Sequence, residues 1–202
     1  MKETALHSSR TATKRLVTIP MLAAVAFILQ YLEFPIPFTP SFLKLDFSTL
    51  PALIGGLMYG PVAGVVIEVM KNVLHMLFKN TDGLIIGEVA NILAGSIFVV
   101  SAVLMQRLAK GKQGFLTGLA IGALLMTVVM AFMNAWFLLP AYAALYQMPM
   151  EQLLSSFGAD SVWSLILYGI VPFNIFKGVV LALVAYPVYV KLAPRLQVRT
   201  AN

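Results

Sequence analysis

Residues 48–59, "STLPALIGGLMY", decide how many times this chain crosses a membrane. The segment is apolar, but about a dozen residues interrupted by Pro51, Gly55 and Gly56 fall short of the ~20 that a helix needs to span a bilayer. It is either a short crossing shielded by protein or a re-entrant segment. The apolar segments around it fall at 15–33, 61–79, 84–106, 114–139 and 162–191, so the answer separates five crossings from six.

Basic residues arbitrate. With six crossings and a cytoplasmic N-terminus, the inner ends hold Lys2, Arg10, Lys14, Arg15, Arg107, Lys110, Lys112, Lys191, Arg195 and Arg199, ten of the 14 Lys and Arg. The outer loops keep only Lys44 and Lys79, while Lys71 and Lys177 lie inside spans. Leaving 48–59 out of the count would put the 107–112 cluster outside, against the positive-inside bias. The expected fold is therefore an all-α integral membrane protein of six transmembrane helices, with both termini cytoplasmic and long outer loops after helices 1 and 5.

Composition agrees, since 60% of the 202 residues are apolar and 11% charged, far from the soluble balance of about half and a quarter. One membrane domain over 1–202 is expected, with no room for a sizeable soluble domain. The net charge of +6 sits in short clusters beside apolar runs, which fits membrane topology and not nucleic-acid binding. The basic start before "AAVAFILQYLEF" mimics a signal peptide, but no small-x-small cleavage site follows, so a retained first span is expected. There is no cysteine, and His7 and His75 are the only histidines, which leaves no thiolate or His-based metal site. No His-Glu-x-x-His, no phosphate-cradling glycine loop and no credible serine triad is present, so the chain reads as no enzyme and no ATPase.

The spans carry polar residues that lipid contact alone does not explain. Glu68, Lys71, Asn72 and His75 share an arc of about 100° on the third span. Glu88 and Asn91 are one turn apart on the fourth, Asn134 lies near the outer end of the fifth, and Asn174 and Lys177 lie about halfway down the last. The topology converges these groups on the outer half of the bundle. A charge at mid-membrane costs at least ~2.5 kcal/mol unless it finds a partner or water. Mutual satisfaction is one reading: Glu68 with Lys71, Glu88 with Lys177 or His75, and the asparagines as interhelical glue. The other is a cavity for a neutral, aromatic, polar-rimmed ligand, open to the outside. Beside it, the stretch 34–47 is a stiff apolar strip suited to a lid, or else an aromatic belt at the headgroups. The ladder Gly114, Gly118, Gly122 and the pair Gly60 and Gly64 favour close helix packing, within the protein or against another subunit.

The succession "LEFPIPFTPSFLKLDFSTLPALIGGLMYGPVAGVVIEVMKNVLHMLF", "GEVANILAG", "NAWFLLPAY" and "GIVPFNIFKGVV" strongly resembles the substrate-capture (S) subunits of energy-coupling factor transporters, of the riboflavin-specific kind. The resemblance runs from about residue 14 to 193. It implies a six-helix protein of the bacterial cell membrane that binds riboflavin near the outer side. It also implies partners: a transmembrane coupling subunit and two cytoplasmic ATPases. Riboflavin would be the transported ligand, and no cofactor is implied. Carried over residue by residue, Asn134, Asn174 and Lys177 would hydrogen-bond the flavin, with Gly87, Ala90 and Asn91 contributing from the fourth helix. The 38–47 loop, bearing Phe38, Phe42, Leu43 and Asp46, would close over it. Where many S subunits carry small-x-x-x-small alanines on helix 1 for the coupling subunit, this chain has Ala23, Ala24 and Ala26.

Competing readings are an S subunit for another vitamin or a flavin nucleotide, a stand-alone proton-coupled transporter using Glu68, Glu88 and His75, and a purely structural membrane subunit.

Overall fold

A computed structural model describes residues 2–37, 39–79, 85–109 and 111–197, with the backbone alone for 2–12 and 195–197. Phe38, Lys110 and Arg199 thus lie outside the described residues. The helices are α1 (Lys2–Tyr31), α2 (Thr49–Tyr59), α3 (Pro61–Phe78), α4 (Ile85–Ala109), α5 (Gly111–Met133), α6 (Leu139–Leu145), α7 (Met150–Ser156), α8 (Val162–Leu165) and α9 (Val171–Gln197). A two-stranded antiparallel ribbon joins β1 (Phe34–Pro35) to β2 (Lys44–Leu45), with Phe34 opposite Leu45.

Among the described residues, five helical stretches are long and apolar enough to cross a membrane: Thr13–Tyr31, Pro61–Phe78, Ile85–Ala109, Gly111–Leu145 and Val162–Pro194. Their outward faces present Leu, Val, Ile and Phe, such as Leu16, Ile28, Leu77, Leu124 and Leu183, as lipid contact requires. Trp136, Phe137, Trp163 and Tyr168 are exposed near the α5–α9 junction, in the manner of an interfacial aromatic belt.

The segment at 48–59 is an 11-residue helix, Thr49–Tyr59, about 16 Å long at 1.5 Å per residue. Its partner α3, at 18 residues, is about 27 Å long. The difference is made up ahead of α2 by Leu45, Asp46 and Ser48, all buried. Irregular backbone there is shielded because protein surrounds it. Pro51, Ala52, Leu53, Gly55 and Gly56 are buried as well, so α2 is shielded along much of its length. The glycines that make it a poor lipid helix let it pack tightly: a Cβ on Gly56 would lie 2.9 Å from Val103 and one on Gly55 2.2 Å from Ile67.

Small residues set the remaining close approaches. The Gly114, Gly118 and Gly122 ladder lies against α4, where added Cβ atoms would meet Met105 O at 2.9 Å, Ala102 Cα at 2.8 Å and Phe98 O at 3.0 Å. The spacing therefore serves packing within the chain. Ala23 and Ala26 of α1 are likewise fully buried.

The fifth span does not stop at 139. It continues through a π-helical segment, Asn134–Leu138, into α6, so the connection expected at 140–161 is largely helical. The cause is Pro140, which has no N–H to donate. Widening the preceding turn, with Leu139 N donating to Asn134 O five residues back, carries the helix across the proline. The same device recurs at Ile166–Ile170 before Pro172, where Val171 N donates to Ile166 O.

Candidate ligand-binding site

The first widened turn borders a cavity through Asn134 and Leu138. It is lined by the last turn of α1, the Phe42–Lys44 stretch, the ends of α3 and α5, the start of α4, Tyr142 of α6 and the first two turns of α9. The cavity thus sits at one end of the bundle. The opposite end is marked by Gly60, at φ +108° in the α2–α3 turn, with the Arg107 guanidinium against it. Atom-free space amounts to some 870 Å³, open solvent at the mouth included.

Of the residues singled out in the sequence, Phe42, Leu43, Gly87, Ala90, Asn91, Asn134, Asn174 and Lys177 all line this cavity. Asn134 and Asn174 are buried, and each donates through Nδ2 to the carbonyl four residues back, Met130 O and Ile170 O, both at 2.8 Å. Those bonds fix the amide orientations and leave each side chain one N–H and a carbonyl oxygen to offer. They are not glue between helices. They are held side chains at the edge of a cavity.

Lys177 has a partner that the sequence did not reveal. Its ammonium contacts Asp46 Oδ2 at 3.0 Å and donates to Asn91 Oδ1 at 3.2 Å, so two of its three donors are used. Asp46 does not line the cavity; it stands behind Lys177, where its Oδ1 accepts from Ser48 N at 2.8 Å and from the Ser48 hydroxyl. Lys71 donates to that hydroxyl and pairs with Glu68 at 2.8 Å. Asn91, Lys177, Asp46, Ser48, Lys71 and Glu68 therefore form one buried chain across α4, α9, the pre-α2 loop and α3. Two cations face two carboxylates. Each charge thereby meets an opposite one, as burial demands.

Glu88 pairs with His75, Nδ1 to Oε1 at 3.1 Å, and not with Lys177. Glu33 lies 3.6 Å from His75 Nε2 and 3.2 Å from Lys44 Nζ. The 39–47 stretch is anchored by aromatic contacts, with the Phe42 ring centroid 5.2 Å from both Tyr142 and Phe157.

Several cavity residues were not foreseen: Gln30, Glu33, Met130, Leu138, Tyr142 and Phe173. For Gln30 a signal existed. It follows Ala23 and Ala26 at helical spacing on the inward face of α1, a polar group at the end of a packing stripe.

A family model described as "ECF transporter, substrate-specific component" matches residues 14–189. The chain belongs to this family. As such a component it is part of a transport system and not an enzyme. It is 39% identical over 180 residues to the riboflavin transporter RibU of Staphylococcus aureus (strain TCH60), covering 89% of this chain and 90% of that protein. It is 35% identical over 185 residues to the riboflavin transporter FmnP of Bacillus subtilis (strain 168), covering 91% and 94%. A solved structure described as the S component of a bacterial ECF transporter superposes with a TM-score of 0.75 at 37% identity, covering 92% of this component and 98% of that chain.

Proposed function

We propose that this substrate-specific component captures riboflavin from outside a bacterial cell and delivers it to an ATP-driven importer. The observation that carries the reading is the cavity rimmed by Asn91, Asn134, Asn174 and Lys177 and walled by Phe42, Tyr142 and Phe173, in a chain 39% identical to a protein named as a riboflavin transporter. A primary amide offers one donor and one acceptor side by side, which complements the N–H and carbonyl edge of an isoalloxazine ring. Asn134 and Asn174 read that edge, and the remaining donor of Lys177 serves a flavin carbonyl or ribityl oxygen. The aromatic walls cover the ring faces, and Gly87 and Ala90 leave room for them on α4. The 38–47 loop closes the mouth, with Phe42 and Leu43, together with Phe38, excluding water.

In this reading the cavity end faces outward, the chain crosses six times and both termini are cytoplasmic. The burial of α2 and of Leu45, Asp46 and Ser48 supports a shielded short crossing. A transmembrane coupling subunit and two cytoplasmic ATPases supply the energy, since no phosphate-cradling loop exists in the chain itself.

Purified protein is expected to be yellow and to quench riboflavin fluorescence on titration. Asn174→Ala and Lys177→Ala variants that bind as tightly as wild type would refute the site.

A further inference from the structure

The α1 and α3 side of the cavity carries buried polar atoms that none of the interactions above satisfies. Gln30, 1% exposed, lines the cavity with its amide held from behind: Nε2 donates to Asn72 Oδ1 at 2.8 Å, and Asn72 Nδ2 donates to Glu68 O at 2.8 Å. Its Oε1 is buried without a hydrogen-bond partner among the described residues. His75, 4% exposed, lines the same side. Its Nδ1 is engaged by Glu88, while Nε2 is also buried without a hydrogen bond, 3.6 Å from the nearest Glu33 oxygen.

A buried polar atom left unpaired is destabilising, because it has given up its hydrogen bonds to water. Two on one side of one cavity form a surface completed by whatever the cavity receives. Gln30 Oε1 accepts only, and His75 Nε2 donates or accepts according to the tautomer. Lys44 and Lys79 line the cavity too, with the Lys44 ammonium 3.2 Å from Glu33. A hydroxyl both donates and accepts, so a hydroxylated chain can meet each of these groups. Gln30 Oε1 suits the carbonyl edge of a flavin ring poorly.

We propose that Gln30 and His75 are ligand contacts that recognise the hydroxylated chain carried by the ring, extending the site from the α4, α5 and α9 residues onto α1 and α3. This rests on the riboflavin reading, with the ring edge held at Asn134 and Asn174. Asn72 acts as a positioning residue, because it fixes the Gln30 amide. Glu88 does the same for the His75 ring.

The test compares riboflavin with lumiflavin, the same ring bearing a methyl group in place of the polyol chain. Dissociation constants for both are measured by fluorescence quenching on wild type, Gln30→Leu, His75→Phe and His75→Gln. Wild type should prefer riboflavin. Gln30→Leu and His75→Phe should each weaken riboflavin by about tenfold, the equivalent of one hydrogen bond, and leave lumiflavin within about twofold. His75→Gln, which keeps a hydrogen-bonding side chain, should recover most of the loss. Equal weakening of both ligands would make these residues structural and overturn the proposal, as would unchanged riboflavin binding in both Gln30→Leu and His75→Phe. Wild type that binds neither flavin would instead overturn the riboflavin reading itself.

Discussion

Lys177 of α9 and Asp46 of the loop ahead of α2 meet at 3.0 Å, 131 residues apart in sequence. The pair ties a cavity-lining side chain of α9 to the 39–47 stretch. Removing one member strands the other charge in a buried site, which typically costs ~3–5 kcal/mol. Asp46→Asn should therefore lower the melting temperature sharply and weaken riboflavin, although Asp46 does not line the cavity. The double variant Asp46→Asn with Lys177→Met should be more stable than Asp46→Asn alone, measured as thermal unfolding in detergent. Additive losses would mean that the two side chains are not coupled.

The gathering of these polar groups was legible in the sequence, whereas their pairing was not. Lys177 inside an apolar run, one turn after Asn174, already implied a membrane-embedded polar site, and the third span's shared face holds, with Glu68, Lys71, Asn72 and His75 all buried. Which carboxylate meets which ammonium depends on how the pre-α2 loop descends into the bundle. No local spacing encodes that. The sequence therefore allowed Glu88 as a partner for Lys177, where the structure has Asp46, Asn91 and the Ser48 bridge to Lys71. The π-helical turns were hidden for a related reason. A proline ordinarily ends a helix, and only the bundle around Pro140 and Pro172 makes it worthwhile to widen the turn and continue.

Gly118 is expected to be intolerant of even one methyl group. Its Cβ would lie 2.8 Å from Ala102 Cα and 2.9 Å from Ala102 O, atoms that cannot rotate away. Gly118→Ala should reduce the yield of folded protein and its melting temperature, whereas Gly158→Ser, at an open position, should cost only its φ of +70° and leave binding unchanged. Size-exclusion profiles and thermal unfolding would check both, and a well-behaved Gly118→Ala would contradict the close α4–α5 contact.

Phe42 joins the lid stretch to Tyr142 and Phe157, both at 5.2 Å. Phe42→Ala should loosen the closed loop, so the expected effect is on riboflavin release: an off-rate about tenfold faster with little change in on-rate. Stopped-flow fluorescence separates the two. Protease cutting within 38–47 should slow when riboflavin is added to wild type, and equal cutting with and without ligand would count against a lid.

Transport should require partners. Cells that express this chain without the two ATPase subunits are expected to bind riboflavin but not accumulate it. In the complete system, uptake should follow ATP and survive collapse of the proton gradient. Accumulation by the chain alone that disappears with the gradient would favour a proton relay through His75 and Glu88.

The most direct measurement is calorimetric titration of the purified protein in detergent against a panel of vitamins. One riboflavin per chain should bind, more tightly than any other vitamin tested, and Asn174→Ala should abolish or greatly weaken that heat. Tighter binding of a different vitamin, or no riboflavin heat from folded protein, would contradict the account.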